Sequence, residues 1–167
     1  MIRLRTATVD DAPMLRKWSD DVKLWTSSED DGSFDWDSEI PRLVDWRELL
    51  VAEHDGRPIG FIQITDAAVE ESHYWGEVEI GAMAIDIWIG SSADRNRGFG
   101  TEMMKLAAAR CFARPGATVI LIDPLESNVR ACRFYERLGY QFVGTRVFRS
   151  DTCRVYRLAR PKLDARR

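Results

Sequence analysis

The chain is poor in the residues that hold metals or build disulfide frameworks, with three cysteines and two histidines among 167 residues. Cys111, Cys132 and Cys153 form an odd set without metal-ligand spacing, which fits a reducing cytoplasm and predicts no metal centre. No stretch reaches the ~18 unbroken apolar residues of a membrane span. The opening Met1-Ile2-Arg3-Leu4-Arg5 lacks the long apolar run of a signal peptide, so a cytoplasmic protein is expected. Internal repeats and low-complexity tracts are also missing. What is present is a globular composition, 45% hydrophobic and 31% charged. A chain this long hides roughly two-thirds of its unfolded surface. Residues 1–160 are therefore expected to form one domain, with 161–167 as a frayed tail.

Positive charge is absent from Pro58 to Asp94, which contains no Lys or Arg. The net charge of −3 conceals +2 over residues 1–19, −15 over 20–94 and +10 over 95–167. Such a molecule can offer one face to a polyanion and another to a polycation, because clefts of one sign steer ligands of the other. The same charges could equally be solvated faces that cancel in three dimensions.

Periodicity and turn chemistry predict a β-α-α-β-β-β-α-β-α-β-β order. Ile2 to Ala7 alternates as a strand, and Asp10 or Asp11 caps a helix with Pro13 in its first turn. The acidic stretch from Ser19 to Asp37, with Trp25, Phe34 and Trp36, reads as a long surface connection, and Ser38 to Trp46 as a short helix. Leu49–Ala52 and Ile59–Ile64 form a hairpin around Asp55-Gly56-Arg57-Pro58. Met83–Ile89 is a third strand, leading to a helix over Gly100–Phe112. Val119–Ile122 is a short buried strand, followed by a helix from Ser127, its cap, to Leu138, with Gly139 as the stop. Tyr140–Phe148 and Cys153–Leu158 close the chain as two strands. The order implies an α/β (α+β) fold, a mixed sheet with helices on both faces.

The most informative segment runs from Ile85 to Thr101, a strand, a turn and a helix start containing Arg95-Asn96-Arg97-Gly98-Phe99-Gly100. Gly98 and Gly100 let the backbone approach a ligand, and the new helix offers free N–H groups and the positive end of its dipole. With Arg95 and Arg97 beside it, this is a cradle for a pyrophosphate. Further on, Asn128, Ala131 or Cys132, and Tyr135 fall near one another at helical spacing, so an amide and a phenol can project together.

Together the two motifs resemble the GNAT superfamily of acetyl-CoA-dependent N-acyltransferases, most specifically from Ile85 to Gly144. The resemblance implies the GNAT fold, a mostly antiparallel sheet in which the strands at Ile89 and at Val119–Ile122 splay apart. It implies acetyl-CoA as cofactor, with the pyrophosphate on Arg95, Asn96, Arg97, Gly98, Phe99, Gly100 and Thr101. The pantetheine arm would lie along Ile87, Trp88 and Ile89, with Asn128 in contact, and Tyr135 would protonate the leaving thiolate. Ser92 and Asn96 depart from the family pattern, where proline and glycine are common. Cys132 has no apparent His partner for an acyl-cysteine route, so direct transfer in a ternary complex is expected.

Asp86 interrupts the apolar run Ala84-Ile85-Asp86-Ile87-Trp88, and a buried carboxylate is costly without a partner. A cationic amine is the economical partner. With Asp123-Pro124 and Ser127-Asn128, the segment resembles the aminoglycoside 6′-N-acetyltransferase branch, which implies that Asp86 binds or deprotonates the reactive ammonium and Asp123 helps hold sugar rings. Aromatic and acidic walls would come from Trp25, Glu29, Asp30, Asp31, Trp36 and Asp37, and from His73, Tyr74, Trp75, Glu77 and Glu79. Asp123 as a plain turn residue, another acceptor amine (a protein N-terminus, a polyamine or a siderophore precursor) and a non-catalytic acetyl-CoA-binding module are the alternatives. The expected partner is a small cationic amine, with no nucleic acid and no membrane, and the protein a monomer or homodimer.

Overall fold

The computed structural model describes residues 1–26 and 34–161, and the side chains of all of these except 22–26. The strands are β1 (Ile2–Thr6), β2 (Arg47–His54), β3 (Arg57–Asp66), β4 (Ala82–Ile89), β5 (Val119–Ile122), β6 (Gln141–Phe148) and β7 (Asp151–Ala159). The helices are α1 (Ala12–Thr26), α2 (Trp36–Glu39), α3 (Phe99–Ala113) and α4 (Val129–Arg137). Seven strands lie in the order β1-β2-β3-β4-β5-β7-β6. Every pairing is antiparallel except β4 with β5.

Local chemistry explains the hairpin of β2 and β3. Asp55 and Gly56 both take positive φ, 51° and 83°, the combination whose twist matches that of the flanking strands. Arg57 and Pro58, expected in the turn, belong to β3. Pro58 is tolerated because the register slips there, Ala52 facing Gly60 and Glu53 facing Pro58.

Because the central strands are covered on both sides, their apolar runs are nearly continuous. On one face, Leu50, Ile62, Ile64, Ile85 and Ile120 pack with Met103, Met104, Ala107 and Cys111 of α3. On the other, Leu49, Val51 and Phe61 pack with Leu15 of α1 and Trp36 of α2. A third cluster joins Trp75, Ala84, Phe148 and Cys153.

Two helical expectations need correction. The helix expected over Ser38–Trp46 is one turn, Trp36–Glu39, with Pro41 just beyond it. The cap of α4 is Asn128 rather than Ser127, because Asn128 Oδ1 accepts the Ala131 N–H at 3.1 Å.

The feature that creates a site is a parting of strands. β4 and β5 pair only through Ala82–Ala84 with Val119–Leu121. Beyond that point β4 continues to Ile89 paired with β3 alone. The edge it turns toward β5 thus opens on a gap.

Candidate active site

Alternation along β4 sends Asp86 to the face shared with Ala84 and Trp88, and places it just past the last residue paired with β5. There it meets the gap rather than packed core. A cavity of about 440 Å³ lies over it, walled by Phe34, Trp36, Phe61, Gln63 and Asp123. Trp36 is buried to 3% exposure and stands edge-on to Phe61 and Trp88 at 5.0 and 6.1 Å. Its indole forms a wall that the core holds in place.

Gln63 faces Asp86 in register and donates from Nε2 to Asp86 Oδ2 at 3.3 Å. Surrounding protein nevertheless pushes the Asp86 carboxyl up to about 6, although water still reaches it through the cavity. Asp123, at the end of β5, is pushed up to about 7, first by burial and then by the Asp86 charge. The Tyr74 hydroxyl donates to Asp123 Oδ2 at 2.5 Å, and Tyr74 itself is stacked on Phe148 at 4.4 Å. Neither carboxylate forms an ion pair among the described residues. Two carboxyl groups lining one cavity without an ion pair offer hydrogen-bond acceptors of the kind an ammonium takes.

A second cavity, about 570 Å³, is lined by Ile89, Arg95, Asn96, Gly98, Gly100, Thr101, Arg130, Phe134 and Arg137. Ile87, Trp88, Asn128, Ala131 and Tyr135 line both cavities. The two spaces therefore communicate where β4 and β5 part. Tyr135 sits at that junction, 9% exposed, its phenol held well above the usual tyrosine range by burial and then by the Asp86 charge. It stays protonated at neutral pH.

The second cavity suits a CoA-type ligand. Gly98 takes φ 82° as the N-cap of α3, supplies no side-chain cap, and has nothing within 4 Å of where a Cβ would lie. Open space thus reaches the backbone at the positive end of a 15-residue helix. Arg95, Arg130 and Arg137 add positive charge to the lining. The open edge of β4 offers backbone groups to an extended chain.

Most expected cofactor residues line this cavity: Ile87, Trp88, Ile89, Arg95, Asn96, Gly98, Gly100, Thr101 and Asn128. Arg97 and Phe99 do not. Arg97 turns to Asp94 at 3.1 Å and lies over Phe99, which is packed into the core. On the acceptor side Asp86, Asp123 and Trp36 come together as expected. Trp75 does not join them: it is 5% exposed in the cluster with Phe148, its carbonyl accepting from Arg146 Nη1 at 2.7 Å. Glu79 meets Arg157 at 3.2 Å and Thr118 at 3.3 Å, by the start of β5, the opposite end from Asp123. Glu77, His73 and Asp37 line neither cavity, and Asp37 pairs with Arg16. Glu29, Asp30, Asp31 and the Trp25 side chain lie outside the described residues.

Gln63, Arg130, Phe134 and Arg137 were not anticipated. Gln63 carried the same signal as Asp86, one polar residue inside an apolar strand. Arg130, Phe134 and Arg137 recur at helical spacing on α4. Among the described residues, no group of three or more His, Cys, Asp or Glu could hold a metal ion, and no helix is long and apolar enough to cross a membrane.

Comparison with known proteins agrees with this geometry. Residues 7–148 match the model of the acetyltransferase (GNAT) domain. The aminoglycoside N(6')-acetyltransferase type 1 of Klebsiella pneumoniae is 29% identical over 161 residues, covering 86% of this chain and 76% of that protein. A kanamycin resistance protein of Rhizobium radiobacter is 32% identical over 78 residues, 46% of this chain and 72% of that one. The crystal structure of aminoglycoside acetyltransferase AAC(6')-Ib with coenzyme A superposes with a TM-score of 0.82 at 25% identity, covering 96% of this chain and 95% of the other. The same enzyme with coenzyme A and kanamycin gives 0.80 at 26% identity and the same coverage. Parted parallel strands, a glycine-opened helix and a buried phenol where two cavities meet are thus explained together: the chain belongs to the GNAT acetyltransferase family, acyltransferases that use acetyl-CoA.

Proposed function

We propose that this enzyme acetylates a primary amine of an aminoglycoside-like polycation, by direct transfer in a ternary complex. The observation that carries the reading is the pair Asp86 and Asp123, two unpaired carboxylates in an aromatic-walled cavity that meets the cofactor cavity at Tyr135. The relatives support it, since AAC(6')-Ib has been crystallised with kanamycin and with ribostamycin.

Acetyl-CoA, when bound, supplies an activated acyl group and a thiolate leaving group. Gly98, Gly100, Thr101, Arg95 and Asn96 would hold its pyrophosphate, and Ile87, Trp88, Ile89 and Asn128 its pantetheine arm. Of the backbone groups here, the Ile87 N–H points to the open edge of β4, since the β3–β4 register turns that of Trp88 toward β3, and it would stabilise the oxyanion of the thioester carbonyl. Asp86 binds the acceptor ammonium and takes its proton, freeing the nitrogen lone pair for attack. A carboxylate raised to about 6 is better matched to that task than an ordinary aspartate. Tyr135 keeps a proton at the junction for the departing thiolate. Asp123 and the rings of Trp36 and Phe34 hold the acceptor's remaining charge and sugar faces. The cytoplasm is the compartment this chemistry implies.

A thiol-release assay with acetyl-CoA and separate panels of kanamycin-type amines, polyamines and peptides tests the reading. Release with the first panel and not with peptides is expected. Turnover confined to polyamines or peptides moves the acceptor to that class, and no turnover with any amine leaves a cofactor-binding module.

A further inference from the structure

The phosphate side of the cofactor cavity contains a charge of the wrong sign. Asp94 lies immediately before Arg95, lines the cavity, and is only 3% exposed. A buried carboxylate costs several kcal/mol when unpaired and would repel a pyrophosphate beside it. Its partners explain how the site tolerates it. Arg57 donates from Nη1 to Oδ2 and from Nη2 to Oδ1, both at 2.8 Å, a two-pronged bond between planar groups. Arg97 adds a third bond to Oδ1 at 3.1 Å. The Arg57 guanidinium, more than any other group, holds the Asp94 carboxyl below the usual range, so it stays ionised.

Arg57 reaches this point from another part of the fold. It is the first residue of β3, directly after the Asp55-Gly56 turn, while Asp94 ends the 3-10 turn Ser92–Asp94 beyond β4. That turn is otherwise held by long, local bonds: Ser91 Oγ accepts from Ala93 N–H at 3.3 Å, Asp94 N–H donates to Ser91 O at 3.1 Å, and Arg95 N–H donates to Ser92 O at 3.2 Å. The hairpin tip and the phosphate loop thus meet through one bidentate pair.

We propose that Arg57 is a positioning residue for the cofactor: through its two bonds to Asp94 it cancels the buried charge beside the phosphate site and fixes the turn that aims Arg95 and the Gly98 backbone at the phosphates. Arg57 itself lines neither cavity. The same geometry reassigns Arg97, whose side chain completes the neutralisation of Asp94. The inference rests on the cofactor alone and is independent of which amine is acetylated.

Calorimetric titration of the purified protein with CoA is the test. Wild-type protein that failed to bind CoA would remove the cofactor reading itself. Given wild-type binding, Arg57→Ala is expected to weaken CoA about tenfold or more, to raise KM for acetyl-CoA in parallel, and to leave kcat at saturating acetyl-CoA within about twofold. Arg57→Lys, which keeps the charge but loses the two-pronged geometry, should fall in between. Asp94→Asn placed in the Arg57→Ala background removes the charge that Arg97 alone then meets, through one bond, and should recover several-fold of the lost affinity. Wild-type CoA affinity in Arg57→Ala overturns the proposal. So does a double variant that binds no better than Arg57→Ala, since a purely structural loss would not be repaired by deleting a second polar contact.

Discussion

Asp86 is held up to about 6 and Asp123 to about 7, above the ~4 of an aspartate in the unfolded chain. Between about pH 4 and 7 the folded protein therefore binds more protons than the unfolded chain, and stability falls as pH rises through that window. Asp86→Asn should accordingly melt higher than wild type at pH 8 and gain nothing at pH 4, read by calorimetry. The same substitution should lower kcat about a hundredfold or more, the scale of a lost general base, with CoA affinity unchanged. In wild type, kcat/KM for the acceptor should climb with pH through about 6 as Asp86 loses its proton. Tyr74 offers a finer test. Its hydroxyl favours the ionised form of Asp123, so Tyr74→Phe raises that carboxyl further and leaves more of it neutral at pH 7. The expected result is a several-fold higher acceptor KM at pH 7 that shrinks by pH 9, with kcat little changed. A uniform KM defect across pH would mean that Tyr74 acts only by packing against Trp75 and Phe148.

Elements whose boundaries are written in local chemistry were legible in the sequence. Val119–Ile122 is the strand expected, and the helix after Gly98 differs by one residue at each end. The Ser38–Trp46 helix was not, because Trp36 is drawn into the cluster with Leu15 and Phe61 and Pro41 follows closely. The same limit applied to the site. A polar residue inside an apolar strand marked Asp86, and glycines at a helix start marked the phosphate cradle. Trp75, Glu79 and Arg97 looked equally suitable as types, yet Phe148 and Arg157, far along the chain, and Asp94, three residues before Arg97, decide where they point. Asn128 shows why one residue can bear two roles, since it caps α4 and also lines both cavities. Asn128→Ala should cost about 1 kcal/mol of stability by loss of the cap, visible as a lower urea midpoint. Asn128→Ser restores a capping oxygen and should recover that midpoint. If CoA affinity stays low in Asn128→Ser, the amide contacts the cofactor as proposed; if affinity returns with stability, its part is capping alone.

At the scale of the whole molecule, the separation between −15 and +10 along the chain is partly consumed in ion pairs. Glu48 takes Arg110 and Arg114, Glu53 takes Arg3 and Arg5, Asp94 takes Arg57 and Arg97, and Glu79 takes Arg157. Several of these bonds tie the acidic middle to the basic C-terminal part, so the sequence asymmetry describes how distant segments find each other as much as how a ligand is drawn in. The acidic groups that line the acceptor cavity itself are Asp86 and Asp123, without an ion pair among the described residues and walled by aromatics of low polarity. Screening then yields a prediction that separates the two views. If the gross acidic segment steered the acceptor, salt would weaken it in every cleft variant alike. If the two carboxylates supply the field, raising ionic strength from about 0.02 to 0.5 M, which shortens the screening length from roughly 20 Å to 4 Å, should raise acceptor KM several-fold in wild type. In Asp123→Asn the acceptor KM should start higher and respond distinctly less to salt, because one of the two charges being screened is gone. An unaltered salt response in that variant would return the steering role to the surface as a whole.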